Sequence, residues 1–167
     1  MNSEEFEAFW EIYAQAFPEC EKRDRAGQMR VLARREYRVE RMVEHGVLLG
    51  FVACWDIGGY WFVEHVAVAD AARGRGIGSE LMKKMTGRDK PVILEVEPPA
   101  DDIARRRVGF YQRLGFHLNA YPHIQPPLQP GGQSVRLLLM SYPEPLTAAD
   151  AETVQARLRQ VVYSPSF

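Results

Sequence analysis

Three glycines within five positions stand between an apolar run and an amphipathic run near the middle of the 167-residue chain. Glycine loses more backbone freedom on ordering than any other residue, so this clustering needs a reason. A loop that leads from a strand into a helix presents unpaired backbone N–H groups at the positive end of the helix dipole, and phosphate binds well there. The pattern predicts a pyrophosphate cradle made by Arg73, Gly74, Arg75, Gly76, Ile77, Gly78 and Ser79. The alternative is a flexible turn that holds no ligand.

Two other glycine-rich phosphate loops do not match these letters. A nucleotide P-loop carries Lys followed by Ser or Thr after its last glycine, whereas Ser79-Glu80 follows here. The dinucleotide fingerprint is G-x-G-x-x-G after a first parallel strand, whereas this segment reads G-R-G-I-G after a predicted antiparallel meander. The side chains of Arg73 and Arg75 are expected to add charge-assisted contacts or screening to the cradle.

Glutamates on apolar strand-like runs are the candidates for proton transfer. Glu64 lies in the middle of one such run, and Glu95 and Glu97 share a face of the run VILEVE. Buried carboxylates are rare unless they are paired or functional, and desolvation raises their pKa toward values that suit a general base. The alternatives are that His65 or an arginine neutralises Glu64 and that Glu95 makes a structural hydrogen bond. Glu97 ranks third, because it lies near a Pro-Pro bend.

Composition and charge exclude several classes of partner. Hydrophobic residues make up 46% and charged residues 26% of the chain, as in globular proteins. The chain has 21 Lys and Arg against 22 Asp and Glu, so its net charge is near zero. No overall electrostatic field therefore attracts nucleic acid or an anionic membrane. The acidic N-terminal segment and the lack of a long apolar stretch predict a cytoplasmic protein that does not associate with membranes. Neither the two cysteines, Cys20 and Cys54, nor the four histidines have metal-site spacing, so no metal is expected.

The surrounding elements are expected to form one domain over residues 1–167. It would comprise N-terminal helices at 1–36, a sheet with the cofactor-binding core at 37–142, and a C-terminal helix at 143–167. Hydrophobic periodicity and turn residues predict the elements in more detail. They are a helix over 3–16 capped by Ser3, a second helix near 26–36, an antiparallel meander at 37–45, 47–56 and 60–68, a helix from Ile77 to near Gly87, a strand at 91–97, a helix from Asp101 or Asp102 to Leu114, strands at 116–121 and 134–142 joined by a Pro- and Gly-rich loop, and a last helix capped by Thr147 and Asp150.

These motifs resemble the GNAT superfamily of N-acetyltransferases over roughly residues 30 to 142. Residues 73–78 match its Arg/Gln-x-x-Gly-x-Gly/Ala signature, which binds the pyrophosphate of coenzyme A, and VEHVAV before them is similar to its fourth strand. The segment GFYQRLGF at 109–116 resembles its downstream helix, with a tyrosine near the cofactor sulfur. The resemblance implies an α/β fold of the α+β type. Its mixed, mostly antiparallel sheet would be flanked by helices and splayed between the family's fourth and fifth strands, where the pantetheine arm would lie.

The resemblance also implies roles at the splayed strands. Backbone groups of Val66, Ala67 and Val68 would bond the pantetheine, and an N–H near Val66 would polarise the thioester carbonyl. In ribosomal-protein acetyltransferases of the family a fifth-strand glutamate in a matching LEV context is the base, which favours Glu95. Other members use a fourth-strand glutamate, which favours Glu64.

Further roles implied by the family concern the helix and loop that follow. Tyr111 would protonate the departing thiolate, with aromatic packing as the alternative. Relatives carry an asparagine ahead of this helix to bond the pantetheine, but this chain reads PPADDIARRRVGFY and has none. Of Arg105, Arg106 and Arg107, which fan out by about 100° each, one could meet the phosphates, with a solvated basic face as the alternative. The loop between the last strands would line the acceptor pocket with Tyr121, His123 and Gln125, unless it is an ordinary surface loop.

Together these features predict an acetyl-coenzyme A-dependent N-acetyltransferase that acts on a primary amine. A small-molecule acceptor is favoured, and a peptide or protein N-terminus is the other acceptor considered. Direct transfer in a ternary complex is expected, because neither cysteine lies in a motif typical of an activated nucleophile. The alternative is a non-catalytic coenzyme A-binding or sensing module, and a nucleotide-binding regulatory domain is disfavoured by the glycine spacing. A homodimer is compatible with the sequence.

Overall fold

A six-stranded sheet forms the centre of the molecule. The structure, a computed structural model, describes residues 1–163, so the last four residues of the predicted C-terminal region lie outside the described residues. The strands, in the spatial order β1-β2-β3-β4-β6-β5, are β1 Tyr37–Glu44, β2 Val47–Asp56, β3 Trp61–Val68, β4 Val92–Val96, β5 His117–Gln125 and β6 Val135–Tyr142. All neighbouring strands pair antiparallel except β3 and β4, which are parallel. The predicted meander and the mixed, mostly antiparallel sheet are therefore confirmed.

Helices cover both faces of the sheet and divide its side chains between two cores. The α-helices are α1 Ser3–Ala16, α2 Arg25–Leu32, α3 Ile77–Thr86, α4 Asp102–Arg113 and α5 Ala148–Arg157, and α5 continues into a π-helical turn, Leu158–Val162. On one face, α1, α2, α5 and the π-helical turn bury an aromatic core that includes Phe9, Phe51 and Trp55. On the other face, α3 and α4 pack on a core rich in methionine and aliphatic residues. Strands β1, β2, β3, β4 and β6 supply both cores because successive side chains point to opposite faces.

Helix caps explain where several helices begin. Thr147 and Asp150 form the predicted capping box of α5, and Asp101 caps α4 by accepting the Ala104 N–H at 2.8 Å. The predicted Ser3 cap of α1 is wrong, because Asn2 takes that role. A capping box needs a cap and an acidic partner three residues apart, and Asn2 with Glu5 meets this spacing, whereas the residue three after Ser3 is a phenylalanine.

The sheet splits between β3 and β4. The two strands pair only over Trp61–Val63 and Val92–Leu94, and beyond this point they diverge. The split lies between the strands that correspond to the family's fourth and fifth, as the resemblance implied. A β-bulge occurs at the same place, since Ala53 of β2 lies opposite His65 while Cys54 lies opposite Val63. The extra residue is Glu64, and the bulge turns the side chains of Glu64 and His65 toward the same, aromatic face.

Strand β5 is longer than the sequence pattern predicts. The expected strand ended at Tyr121, but β5 continues through Gln125, and the connecting loop is residues 126–134. β5 lies at the edge of the sheet, where the missing N–H of Pro122 costs no ladder bond, so a proline is tolerated there. The strand assignment of Tyr121 is confirmed, but the prediction of a loop at His123 and Gln125 is wrong, because both are strand residues. Within residues 1–163, no helix is both long and apolar enough to cross a membrane.

Candidate active site

The glycine loop leaves a set of backbone N–H groups free. Gly74 and Gly76 both adopt φ of +78°, a left-handed conformation that side chains disfavour, and Gly76 is the N-cap of α3 without a side-chain cap. A Cβ at Gly74 or Gly76 would meet no protein atom within 4 Å, so both positions border open space. Within the described residues, no protein acceptor bonds to the N–H groups of Gly74, Gly76, Ile77, Gly78 and Ser79. These groups border a shallow cavity of about 220 Å³ and fit a diphosphate in charge and hydrogen bonding.

The arginines of this loop lie at its rim. Arg73 forms an exposed ion pair with Asp70 at 2.8 Å, and Arg75 forms one with Glu44 at 2.9 Å. Exposed pairs of this kind contribute little, so both guanidinium groups can exchange partners at small cost. Their positions are compatible with the predicted contacts to an anion.

The edge of β3 that faces β4 is unpaired beyond Val63. Val66, Ala67 and Val68 pair with β2 on their other edge, opposite Val52, Phe51 and Gly50. Val68 borders the cavity at the glycine loop, whereas Val66 borders a second cavity in the split of the sheet. The free strand edge therefore connects the two cavities.

The second cavity has a volume of about 160 Å³ and brings together most of the predicted catalytic side chains. It is lined by residues of α1, β3, β4, α4, β5, β6 and the chain after the π-helical turn. The polar residues among them are Glu21, Glu64, His65, Glu95, Arg107, Tyr111, Gln125 and Tyr163.

Glu64 is fully occupied by protein donors. Its two oxygens accept hydrogen bonds of 2.8 Å each from the Arg23 guanidinium, and Oε2 also accepts the Trp55 indole N–H at 3.0 Å. The side chains of Glu64 and Arg23 are only 5% and 6% exposed. Burial alone would raise the pKa of Glu64, but the Arg23 guanidinium, assisted by His65, holds it well below its usual range. A carboxylate in this state holds its charge and has little capacity to accept a proton, which argues for the structural alternative.

Glu95 has a different environment one strand away. Its Oε1 accepts hydrogen bonds from the Tyr163 hydroxyl and from Nε2 of the buried His123. Among the described residues no donor bonds to Oε2, and the side chain lines the cavity with 10% of its surface exposed. One oxygen is therefore fixed by the protein while the other can take up a proton.

Tyr111 presents its side chain to the same cavity. Its ring packs edge-on against Phe110 and Phe116, which accounts for its orientation. The structure provides no hydrogen-bond partner for its hydroxyl among residues 1–163. Burial raises the pKa of Tyr111 to about 12, against a smaller opposing effect of Arg107, so the phenol stays protonated and can donate.

Most of the other candidate residues lie away from the cavity. Glu97 is half exposed and lies 3.5 Å from Arg107, and Arg105 bonds to Asp102 and to backbone carbonyls at the start of α4. Of the three successive arginines only Arg107 lines the cavity, and Tyr121 does not line it.

Cys54 is buried, which raises the pKa of its thiol to about 12. Among residues 1–163 no group of three or more His, Cys, Asp or Glu side chains is placed to hold a metal ion.

Sequence reasoning missed three residues of this region. Arg23 and Glu21 lie in a charged segment that the sequence pattern shows only as an interruption between helices. Tyr163 lies in the predicted C-terminal helical region, 143–167, for which no site residue was predicted. The only signal for Arg23 was the expectation that a buried Glu64 needs a cation. No sequence pattern indicates that Tyr163 contacts Glu95 across 68 positions.

Comparison with known proteins identifies the family. The Acetyltransferase (GNAT) family profile matches residues 4–116. A Bacteroides thetaiotaomicron structure superposes with a TM-score of 0.88 at 28% identity, covering 98% of this chain and 94% of the other. YjbC of Bacillus subtilis (strain 168) is 33% identical over 98 residues, 57% of this chain and 50% of YjbC, so the match spans half of that relative. Both relatives are named as putative acetyltransferases. An aminoglycoside 6'-N-acetyltransferase complexed with coenzyme A shares the fold, with a TM-score of 0.61 at 16% identity over 84% of this chain and 91% of the other.

The fold combines a sheet that splits between β3 and β4 with a strand edge that runs from the glycine loop to the cavity lined by Glu95 and Tyr111. The chain belongs to the GNAT family of acetyltransferases.

Proposed function

We propose that this protein transfers the acetyl group of acetyl-coenzyme A to a primary amine, in particular that of a small molecule. The observation that carries the proposal is the free edge of β3, which connects the glycine cradle at Val68 to the cavity of Glu95 and Tyr111 at Val66. Because a strand rises about 3.4 Å per residue, this edge suits an extended chain lying along it. Acetyl-coenzyme A supplies the activated thioester.

The residues that would hold the co-substrate follow from this layout. The free N–H groups of the glycine loop would bind its diphosphate, and the free backbone groups of Val66, Ala67 and Val68 would hold its pantetheine arm. An N–H near Val66 would then stabilise negative charge on the thioester oxygen. Because this chain has no asparagine ahead of α4 to bond the pantetheine arm, β3 would provide more of the hydrogen bonds to that arm.

Glu95 is the proposed base. An alkyl amine is neutral in only roughly one molecule in a few thousand at pH 7, so its attack on a thioester requires removal of a proton. Glu95 lines the cavity, and its Oε2, to which no described residue donates, can take that proton. The bonds from Tyr163 and His123 to Oε1 fix the carboxylate's orientation. Glu64 is assigned a structural role, because its oxygens already bind Arg23 and Trp55.

Tyr111 is the proposed acid. Its protonated hydroxyl, which lacks a protein partner in the described part of the chain, would donate to the departing thiolate and regain a proton from water. Direct transfer between the two bound substrates is proposed, because the buried Cys54 holds its thiol in the protonated, weakly nucleophilic form.

Two assays test this function in sequence. Calorimetric titration with acetyl-coenzyme A, coenzyme A, ATP and NAD should give binding for the first two only, and tight ATP or NAD binding without a coenzyme A signal would refute the proposal. A screen of amines for release of free thiol should then find acceptors. Coenzyme A binding with no acetylated amine would instead indicate a non-catalytic binding module.

A further inference from the structure

The cavity in the split sheet contains a carboxylate that the proposed chemistry does not use. Glu21 ends a short 3₁₀-helix, Glu19–Glu21, that follows α1, and its side chain lines the cavity. Its carbonyl oxygen accepts a hydrogen bond from His65 Nε2 at 2.8 Å, which fixes the backbone. No donor among the described residues bonds to its carboxylate.

Among the carboxylates that line the cavity, two form no ion pair with a lysine or arginine of the described part of the chain. Arg23 compensates Glu64 at 2.8 Å, and Arg107 lies 3.5 Å from Glu97. Glu21 and Glu95 remain. Burial, and secondarily the neighbouring Glu97, raises the pKa of Glu21 against smaller opposing effects of Arg107 and His65, neither of which forms an ion pair with it among the described residues.

An independent feature, a side-chain amide without a protein partner, makes this space suitable for a polar ligand. The Gln125 side chain is 5% exposed and lines the cavity, yet its amide makes no hydrogen bond to any residue within 1–163. Buried amides are ordinarily bonded, so the partner of this group is expected to come from a bound molecule. Its carbonyl oxygen can accept from an ammonium N–H.

The size of the cavity limits the acceptor. Its volume of about 160 Å³ is below that of pockets which bury drug-sized ligands, roughly 300–1,000 Å³. A short, slender chain fits this description better than a bulky ring system.

We infer that the acceptor is a small diamine, in which one amine meets Glu95 and reacts while the second, cationic amine is bound by Glu21 and Gln125. The inference rests on the proposed function and specifies its substrate class. Two carboxylates without Lys or Arg partners match two ammonium groups, and the free amide completes the hydrogen bonds of the group that does not react.

A matched series of acceptors tests this inference in the wild-type protein. The probes are 1,4-diaminobutane, 4-aminobutanol, butylamine and 4-aminobutyrate, which share a reacting amine and differ in the second group. The diamine should exceed butylamine and 4-aminobutanol in kcat/KM by about tenfold or more, the effect of a hydrogen bond between charged groups. The anionic 4-aminobutyrate should be the poorest. Calorimetry on the coenzyme A complex should show the same order of affinity.

Variants then assign the preference to Glu21. Glu21→Gln should remove the advantage of the diamine and leave kcat/KM for butylamine unchanged within about twofold. Glu19→Gln is the matched control, because Glu19 lies on the same short helix, pairs with Lys22 at 2.6 Å and does not line the cavity. It should retain the diamine preference.

The outcomes separate the inference from the function on which it depends. Acetylation of butylamine and 1,4-diaminobutane at equal kcat/KM would overturn the diamine assignment while leaving the acetyltransferase intact. A diamine preference that persists in Glu21→Gln would refute the role of Glu21. Coenzyme A binding without acetylation of any amine would overturn the proposed function itself.

Discussion

Glu64 and Glu95 lie on neighbouring strands, on either side of the split in the sheet, and both line the same cavity. Both oxygens of Glu64 accept hydrogen bonds from Arg23, and one also accepts from Trp55. One oxygen of Glu95 accepts from Tyr163 and His123, and the other has no donor among residues 1–163. Proximity to the reaction therefore does not distinguish the two residues. The number of oxygens left without a donor among the described residues distinguishes them, and on this basis we propose a structural role for Glu64 and a catalytic role for Glu95.

The largest effect on activity is expected from replacing Glu95 by its neutral amide, because this removes the proposed proton acceptor. Glu95→Gln should lower kcat/KM for alkyl amines by about 10³- to 10⁴-fold, the upper range for a general base. The amide keeps the size of the side chain, so the free energy of unfolding should change much less than it does in Glu64→Gln. Initial rates and chemical denaturation on the same preparation check both values. A loss of rate below tenfold would contradict the assignment.

Glu64→Gln should have the opposite combination of effects, a large loss of stability and a small loss of activity. It leaves the buried Arg23 without a counter-charge, which costs about 3 kcal/mol or more of unfolding free energy. Activity per folded molecule should fall far less than in Glu95→Gln. Denaturation midpoints and rates at a matched folded fraction measure the contrast, with the exposed pair variant Glu80→Gln as a control expected to be near neutral.

The pH dependence of stability sharpens the same contrast. The pKa of Glu64 is lower in the folded state than its usual 4.5, so its pairing contributes stability that is present above pH 4.5 and lost as pH falls toward the folded-state pKa. Wild type should therefore lose stability steeply below pH 4.5, and Glu64→Gln should lose it less steeply. Parallel curves for the two proteins would show that the ion pair is not responsible.

Tyr111→Phe should lower kcat by about 10²-fold, because a leaving-group acid acts in the transition state. The affinity for acetyl-coenzyme A should stay close to that of wild type, since the ring packing against Phe110 and Phe116 is retained. Rapid kinetics and calorimetry separate the two quantities. A change confined to affinity would leave Tyr111 as a packing residue.

The smallest effect is expected from the group that positions Glu95. Tyr163→Phe removes one hydrogen bond to Oε1 and should lower kcat/KM by roughly fivefold, the equivalent of about 1 kcal/mol. The affinity for acetyl-coenzyme A should stay close to that of wild type, because the lost bond lies on the carboxylate and not on the cradle. Initial rates and calorimetry measure the two quantities, and a loss of affinity equal to the loss of rate would favour a merely structural role.

Local patterns were sufficient to predict the elements near the cradle. The glycine spacing, the antiparallel meander and the capping pair Thr147 and Asp150 are short-range features, and the structure contains the elements that they predict. The end of β5 was missed because a proline argues against a strand unless the strand is known to lie at an edge, and edge position is a property of the whole sheet.

The environment of each glutamate could not be predicted in the same way. Glu64 meets Arg23 across 41 positions and Glu95 meets Tyr163 across 68, so their partners are set by how helices dock on the sheet. The sequence indicates which carboxylates are buried on strands. It does not indicate which of them keeps a free oxygen.

The most direct test of the central claim compares Glu95→Gln with wild type on two acceptors, an alkyl amine and a weakly basic amine that is already neutral at pH 7. If Glu95 removes the amine's proton, the large defect with the alkyl amine should shrink to within about tenfold for the neutral one, because that acceptor needs no deprotonation before attack. An equal defect with both acceptors would contradict the account, since Glu95 would then act on something other than that proton.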